Sequence, residues 1–170
     1  EEQNGQYQRI IAFYKDKITA VAGGGDTALG DAALLSKFAK KVYLIHRRDK
    51  FRANKTLQQK VENISNVEIL LNSQIKKING SNKVESTTVD KNGAETEIKV
   101  DGVFVAVGSV PNSAILKDLV EVDNNGYIVA NEDGVTSANG IFVAGDVRTK
   151  KLRQVVTAVS DGAVAATSLE

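Results

Sequence analysis

The sequence predicts an α/β fold: a Rossmann-like, three-layer nucleotide-binding domain, made of a parallel sheet plus an antiparallel β-meander, followed by a shorter unit that reads as incomplete. Three observations carry this prediction. Ile18-Thr19-Ala20-Val21-Ala22, a short apolar run containing β-branched residues, leads without a linker into Gly23-Gly24-Gly25-Asp26-Thr27-Ala28, a G-x-G-x-x-A turn directly after a strand. Behind the turn, Ala28, Leu29, Ala32, Ala33, Leu34, Leu35 and Phe38 recur at the spacing of a helix packed on a sheet. From Gln74 to Val100, polar and apolar residues alternate and are broken by Asn79-Gly80 and Asn92-Gly93, both hairpin turn signals, so three antiparallel strands are expected there.

The elements follow in order. Glu1 to Gln8 is polar and reads as a mobile lead-in. Arg9 to Tyr14 is mostly apolar, and Lys15-Asp16-Lys17 turns into the first strand. Lys41-Val42-Tyr43-Leu44-Ile45 is the second strand, ending at the basic cluster His46-Arg47-Arg48. Phe51 to Val61 has a helical pattern with Leu57, Val61 and Ile64 on one side, and Val67 to Leu71 is a third strand, which completes a parallel βαβαβ unit. After the meander, Val103 to Val107 is a buried strand able to return to the parallel sheet. Gly108-Ser109-Val110-Pro111-Asn112 holds the only proline and marks a boundary, giving domains of 1–106 and 107–170. In the second unit, Gly126 to Val129 and Gly140 to Ala144 are expected as strands and Leu152 to Leu169 as a helix. Two strands and a helix bury little apolar area, so something else is expected to complete this unit.

The turn has a definite chemistry. Gly23 allows the tight bend, Gly25 lets the backbone approach a pyrophosphate, and Ala28 keeps the helix close to the strand. Free amides and the positive dipole end of the helix then face the phosphates. Asp26 and Thr27 are expected to cap that helix rather than perform chemistry. At the end of the second strand an NAD site would carry a carboxylate for the ribose 2′-hydroxyl. Arg47 and Arg48 stand there instead, and guanidiniums bind a 2′-phosphate through charge-assisted hydrogen bonds. The inferred nucleotide is therefore NADP(H). His46, the single histidine, has two open readings: a contact beside the arginines, or a satisfied packing residue.

Composition narrows the function further. A net charge of +1 argues against a general nucleic-acid binder, so the basic residues matter by position. With no cysteine and one histidine, disulfides, thiolate metal sites and a dithiol within these 170 residues are excluded, and neither a metal site nor a catalytic residue is assigned. No apolar run is long enough to span a bilayer and the first residues have no signal-peptide pattern, so a cytoplasmic protein is expected.

Gly23 to Ala28, His46 to Arg48 with Phe51-Arg52, Gly108 to Asn112, Gly140 to Asp146, and Leu152-Arg153-Gln154 with Thr157-Ala158 together resemble the low-molecular-weight thioredoxin reductases, over nearly the whole sequence. The resemblance implies an NADPH domain followed by the C-terminal part of an FAD domain. It implies phosphate contacts around Gly24, Asp26 and Thr27, a 2′-phosphate at Arg47 and Arg48, and adenine beside Arg52. It further implies flavin contacts at Gly145, Asp146, Arg153, Gln154 and the Val155 amide, with Asp146 on the ribityl chain; without the resemblance, Asp146 reads as a turn cap. Thioredoxin as electron acceptor, a homodimer, and a partnering FAD-domain half are implied as well.

Three departures stand out. The family's Cys-x-x-Cys corresponds to about Gln6-Tyr7-Gln8-Arg9, which has no thiol; Gly30-Asp31 stands where two glutamates are common; and Ala138-Asn139-Gly140 lacks a usual proline. A thiol-free ferredoxin or flavodoxin NADP reductase, or a non-catalytic NADPH-binding module, are the alternatives.

Overall fold

The computed structural model describes residues 13–169, so the lead-in, most of the segment from Arg9 to Tyr14 and the thiol-free stretch lie outside the described residues. The chain divides into two compact units, with the division between Gly108 and Ser109.

The first unit contains β1 (Ile18–Gly23), α1 (Asp26–Leu35), β2 (Lys41–Ile45), α2 (Lys55–Glu62), β3 (Val67–Leu70), β4 (Ser73–Asn79), β5 (Ser86–Lys91), β6 (Ala94–Lys99) and β7 (Gly102–Ala106). Four strands form a sheet in the order β3-β2-β1-β7, with every neighbouring pair parallel. The strand from Gly102 thus returns to the sheet beside β1, as the apolar run around Val103 predicts.

The period-2 alternation of these strands builds the three layers. Val21 of β1 and Val42 and Leu44 of β2 face one side, where they form a core with Leu29, Leu35 and Val61 of the two helices. Ala20, Tyr43, Ile45 and Val103 face the other side and pack on Val89, Ile75 and Ile98 of the antiparallel β4-β5-β6 sheet. Each large aliphatic side chain buried in this way contributes roughly 1.5–3 kcal/mol. Asn92 and Gly93, both at positive φ (54° and 87°), make the two-residue turn between β5 and β6 that their sequence predicts. Asn79-Gly80 does not make a two-residue turn. Asn79 ends β4, and residues 80–85 form a longer connection in which a Cβ on Gly80 would lie 1.9 Å from the Lys83 carbonyl oxygen.

The second unit differs from expectation. A 3-10 turn (Ala114–Leu116) and α3 (Val155–Thr167) are its regular elements among the described residues. The stretches expected as strands make only isolated bridges, Val122 with Ile128, Ile128 with Arg148 and Val135 with Phe142. Local turns take up the backbone groups that a ladder would need: Asp123 accepts from the amides of Asn125 and Tyr127, and Asn131 from that of Val135. A small core of Val120, Ile128 and Val143 holds these turns together.

Candidate nucleotide-binding site

Gly23 sits where β1 ends against β7. A Cβ there would lie 2.3 Å from the Ala106 carbonyl oxygen and 2.6 Å from the Ala28 methyl, so the close approach of strand, turn and helix requires glycine. Gly25 is the opposite case. It occupies the N-cap of α1 in extended conformation, and a Cβ there would meet nothing within 4 Å. The space in front of Gly25 is open, beside the first-turn amides of α1, which have no intrahelical acceptor. A phosphate fits that arrangement.

Neither Asp26 nor Thr27 caps α1; no side chain does. Asp26 lies one residue inside the helix, and its carboxylate accepts from the backbone N–H and side-chain amide of Asn54, at 2.8 and 3.0 Å. Asn54 in turn is the N-cap of α2, accepting from the Leu57 amide at 2.9 Å. This is why α2 begins at Lys55 and not at Phe51 as its apolar pattern suggests. The amides of Arg52 and Ala53 are committed to the Gly24 carbonyl, at 2.7 and 3.2 Å.

The loop from His46 to Asn54 therefore folds back on the glycine turn and carries Arg47, Arg48 and Arg52 with it. All three are exposed, and none makes an ion pair with a described residue. Asp49, in the same loop, is exposed too. His46 behaves differently from its neighbours: it is 6 % exposed, its ring stacks on Phe51 at 5.4 Å, and its Nε2 lies 3.0 Å from the Lys50 carbonyl oxygen. Because a carbonyl only accepts, Nε2 carries the proton. Burial, then the charges of Arg48, Arg52 and Arg47, hold its pKa below the ordinary imidazole value despite the Lys50 bond, so the ring is neutral near pH 7.

In the second unit, Gly145 (φ +81°) and Asp146 form a turn whose Gly145 amide donates to Asp161 of α3 at 2.9 Å. Asp161 also accepts from Lys150 at 2.5 Å and from the buried Arg148 at 3.1 Å. Burial would raise the Asp161 carboxyl, but Lys150, the Gly145 amide and Arg148 hold it below the usual carboxylate range. Asp146 itself is exposed and makes no ion pair with a described residue. Arg153 lies over the Tyr127 ring at 4.0 Å and donates from Nε to the Asp146 carbonyl at 3.4 Å. Gln154 is the N-cap of α3, its amide donating to Thr157 Oγ1, and Val155 opens the helix, three residues later than Leu152. The sequence motifs include Phe51 without its stacking on His46, and they leave out Asn54 and Asp161. Of these only Asn54, an Asn directly before a helical pattern, carries a local signal.

The sequence profile of the pyridine nucleotide-disulphide oxidoreductases matches residues 3–162. The chain belongs to that family. Within it, the sequence is 44% identical over 162 residues to a thioredoxin reductase of Bacillus subtilis (strain 168), covering 94% of this chain and 51% of that protein. It is 43% identical over 167 residues to a thioredoxin reductase of Peptoclostridium acidaminophilum, covering 93% of this chain and 53% of that protein. The crystal structure of Lactococcus lactis thioredoxin reductase in its FR conformation superimposes with a TM-score of 0.73 at 35% identity, over 95% of this chain and 55% of that one. This member of the pyridine nucleotide-disulphide oxidoreductases is thus a thioredoxin-reductase-like domain, and the chain spans about half the length of the curated relatives it matches. No helix among the described residues is long and apolar enough to cross a membrane.

Proposed function

We propose that this sequence is the NADPH-binding portion of a thioredoxin-reductase-like flavoprotein oxidoreductase, with NADPH held between the Gly23–Ala28 turn and the loop from His46 to Asn54. One observation carries the reading: Gly24 accepts from the Arg52 and Ala53 amides, which anchors on the open glycine turn a loop bearing three exposed guanidiniums that form no ion pair with a described residue. Open backbone at Gly25 suits the pyrophosphate, and Arg47, Arg48 and Arg52 suit the 2′-phosphate and the adenine side. When bound, NADPH supplies hydride and FAD accepts it.

What these residues contribute is binding and orientation. The α1 amides and the arginines neutralise phosphate charge, and the close packing of Gly23 on Ala106 fixes the turn relative to the sheet. On the flavin side we assign Gly145, Asp146, Arg153, Gln154 and Val155. Asp146 is an exposed acceptor for hydroxyl groups, and its turn is held by Asp161. Residues 1–106 form the NADPH domain in this reading and 107–170 the C-terminal part of an FAD domain. A further FAD-domain segment would cover Val155, Val156 and Val159, which α3 leaves 71%, 72% and 68% exposed. Passing electrons to a thioredoxin-like acceptor needs a thiol, and none of the 170 residues is cysteine, so the step proposed for this sequence is nucleotide binding.

The test is the chain with Arg47→Ala and Arg48→Ala together. NADPH affinity should fall while NADH affinity is retained, because each charge-assisted hydrogen bond is worth about 1.5–3 kcal/mol. Equal loss of both in a calorimetric titration would remove the 2′-phosphate assignment.

A further inference from the structure

We infer that His46 is a positioning residue, a buried strut between the glycine turn and the arginine-bearing loop, and that it serves nucleotide binding without touching the phosphates. The inference rests on the nucleotide reading above and deepens it. A Cβ on Gly24 would lie 2.2 to 2.6 Å from three atoms of the imidazole, so the ring fills the space directly behind the backbone of Gly24.

The ring cannot swing away cheaply. Nε2–H is committed to the Lys50 carbonyl, one face stacks on Phe51, and the main chain is paired on both sides, N–H to Leu70 and C=O to Ser73, at 2.9 Å each. Burial first, and then the charges of Arg48, Arg52 and Arg47, favour the neutral form of the ring. A neutral, enclosed imidazole whose one N–H is used is a poor phosphate ligand and a good spacer. It sets how closely Gly24 and the Arg47–Arg52 loop approach, and hence how pyrophosphate and 2′-phosphate subsites are spaced.

Gly24 and His46 should therefore be energetically coupled. The experiment is a double-mutant cycle of Gly24→Ala and His46→Ala in the full chain, read by the dissociation constants of NADPH and NADH. Gly24→Ala alone should weaken both nucleotides, because its methyl collides with the ring. In the His46→Ala background the methyl enters vacated space, and the added loss should shrink by roughly tenfold, the scale of coupling between residues in contact. His46→Ala itself should weaken NADPH and NADH alike.

Additive losses would overturn the strut, and a His46→Ala effect confined to NADPH would overturn it and make His46 a direct 2′-phosphate contact. No binding of either nucleotide by the parent chain would overturn the nucleotide reading, and the strut with it. If circular dichroism shows His46→Ala to be unfolded, His46→Gln serves in the same cycle, since its amide can still donate to Lys50 while the ring is gone.

Discussion

Gly23 and Gly25 belong to one fingerprint but answer to different constraints, which makes them separable by experiment. At Gly23 the fold leaves no room: Ala106 and Ala28 occupy the position of a side chain. Gly23→Ala should cost about 1–3 kcal/mol of stability through overpacking, seen as a lower thermal midpoint. At Gly25 the fold leaves open space and the backbone is extended, so Gly25→Val should fold with nearly unchanged stability and yet lose NADPH and NADH. A Gly25→Val chain that folds and still binds would show that the turn is not the pyrophosphate site. The need for glycine at position 23 was legible in the sequence because strand, turn and helix are contiguous there. The role of Asp26 was not: its partner Asn54 lies 28 residues away, and only the folded loop brings them together.

Among the elements, the strands of the parallel sheet were the most legible, because strands buried on both faces demand short apolar runs; β7, expected to be buried, is instead an edge strand with Val105 67% exposed. The start of α2 was not legible. The apolar pattern of Phe51 and Leu57 continues through it, while the actual start is set by Asn54, which caps the helix and ties it to Asp26. Asn54→Ala should lower stability by about 0.5–2 kcal/mol, measured by urea denaturation. It should also weaken NADPH more than an exposed control such as Lys55→Ala, since the loop holding Arg52 loses its anchor. In the second unit, Gly126 to Val129 and Gly140 to Ala144 have the composition of strands. Composition does not reveal that Asx turns at Asp123 and Asn131 would claim the neighbouring amides.

At the scale of the whole molecule, the three layers of the first unit follow from alternation along β1 and β2, which sends Val21, Val42 and Leu44 to the helices and Ala20, Tyr43 and Ile45 to the meander. The second unit has a core of three buried aliphatic residues and leaves much of α3 apolar and exposed, in keeping with a chain that spans about half the length of its relatives. Function rests on the first unit, where the loop anchored on the Gly24 carbonyl carries Arg47, Arg48 and Arg52 exposed at its surface. The most direct test is calorimetric titration of the chain with NADPH and with NADH under identical low-salt conditions. NADPH should bind at least roughly tenfold more tightly, the equivalent of one charge-assisted hydrogen bond to the 2′-phosphate. Equal affinity for the two nucleotides would contradict it.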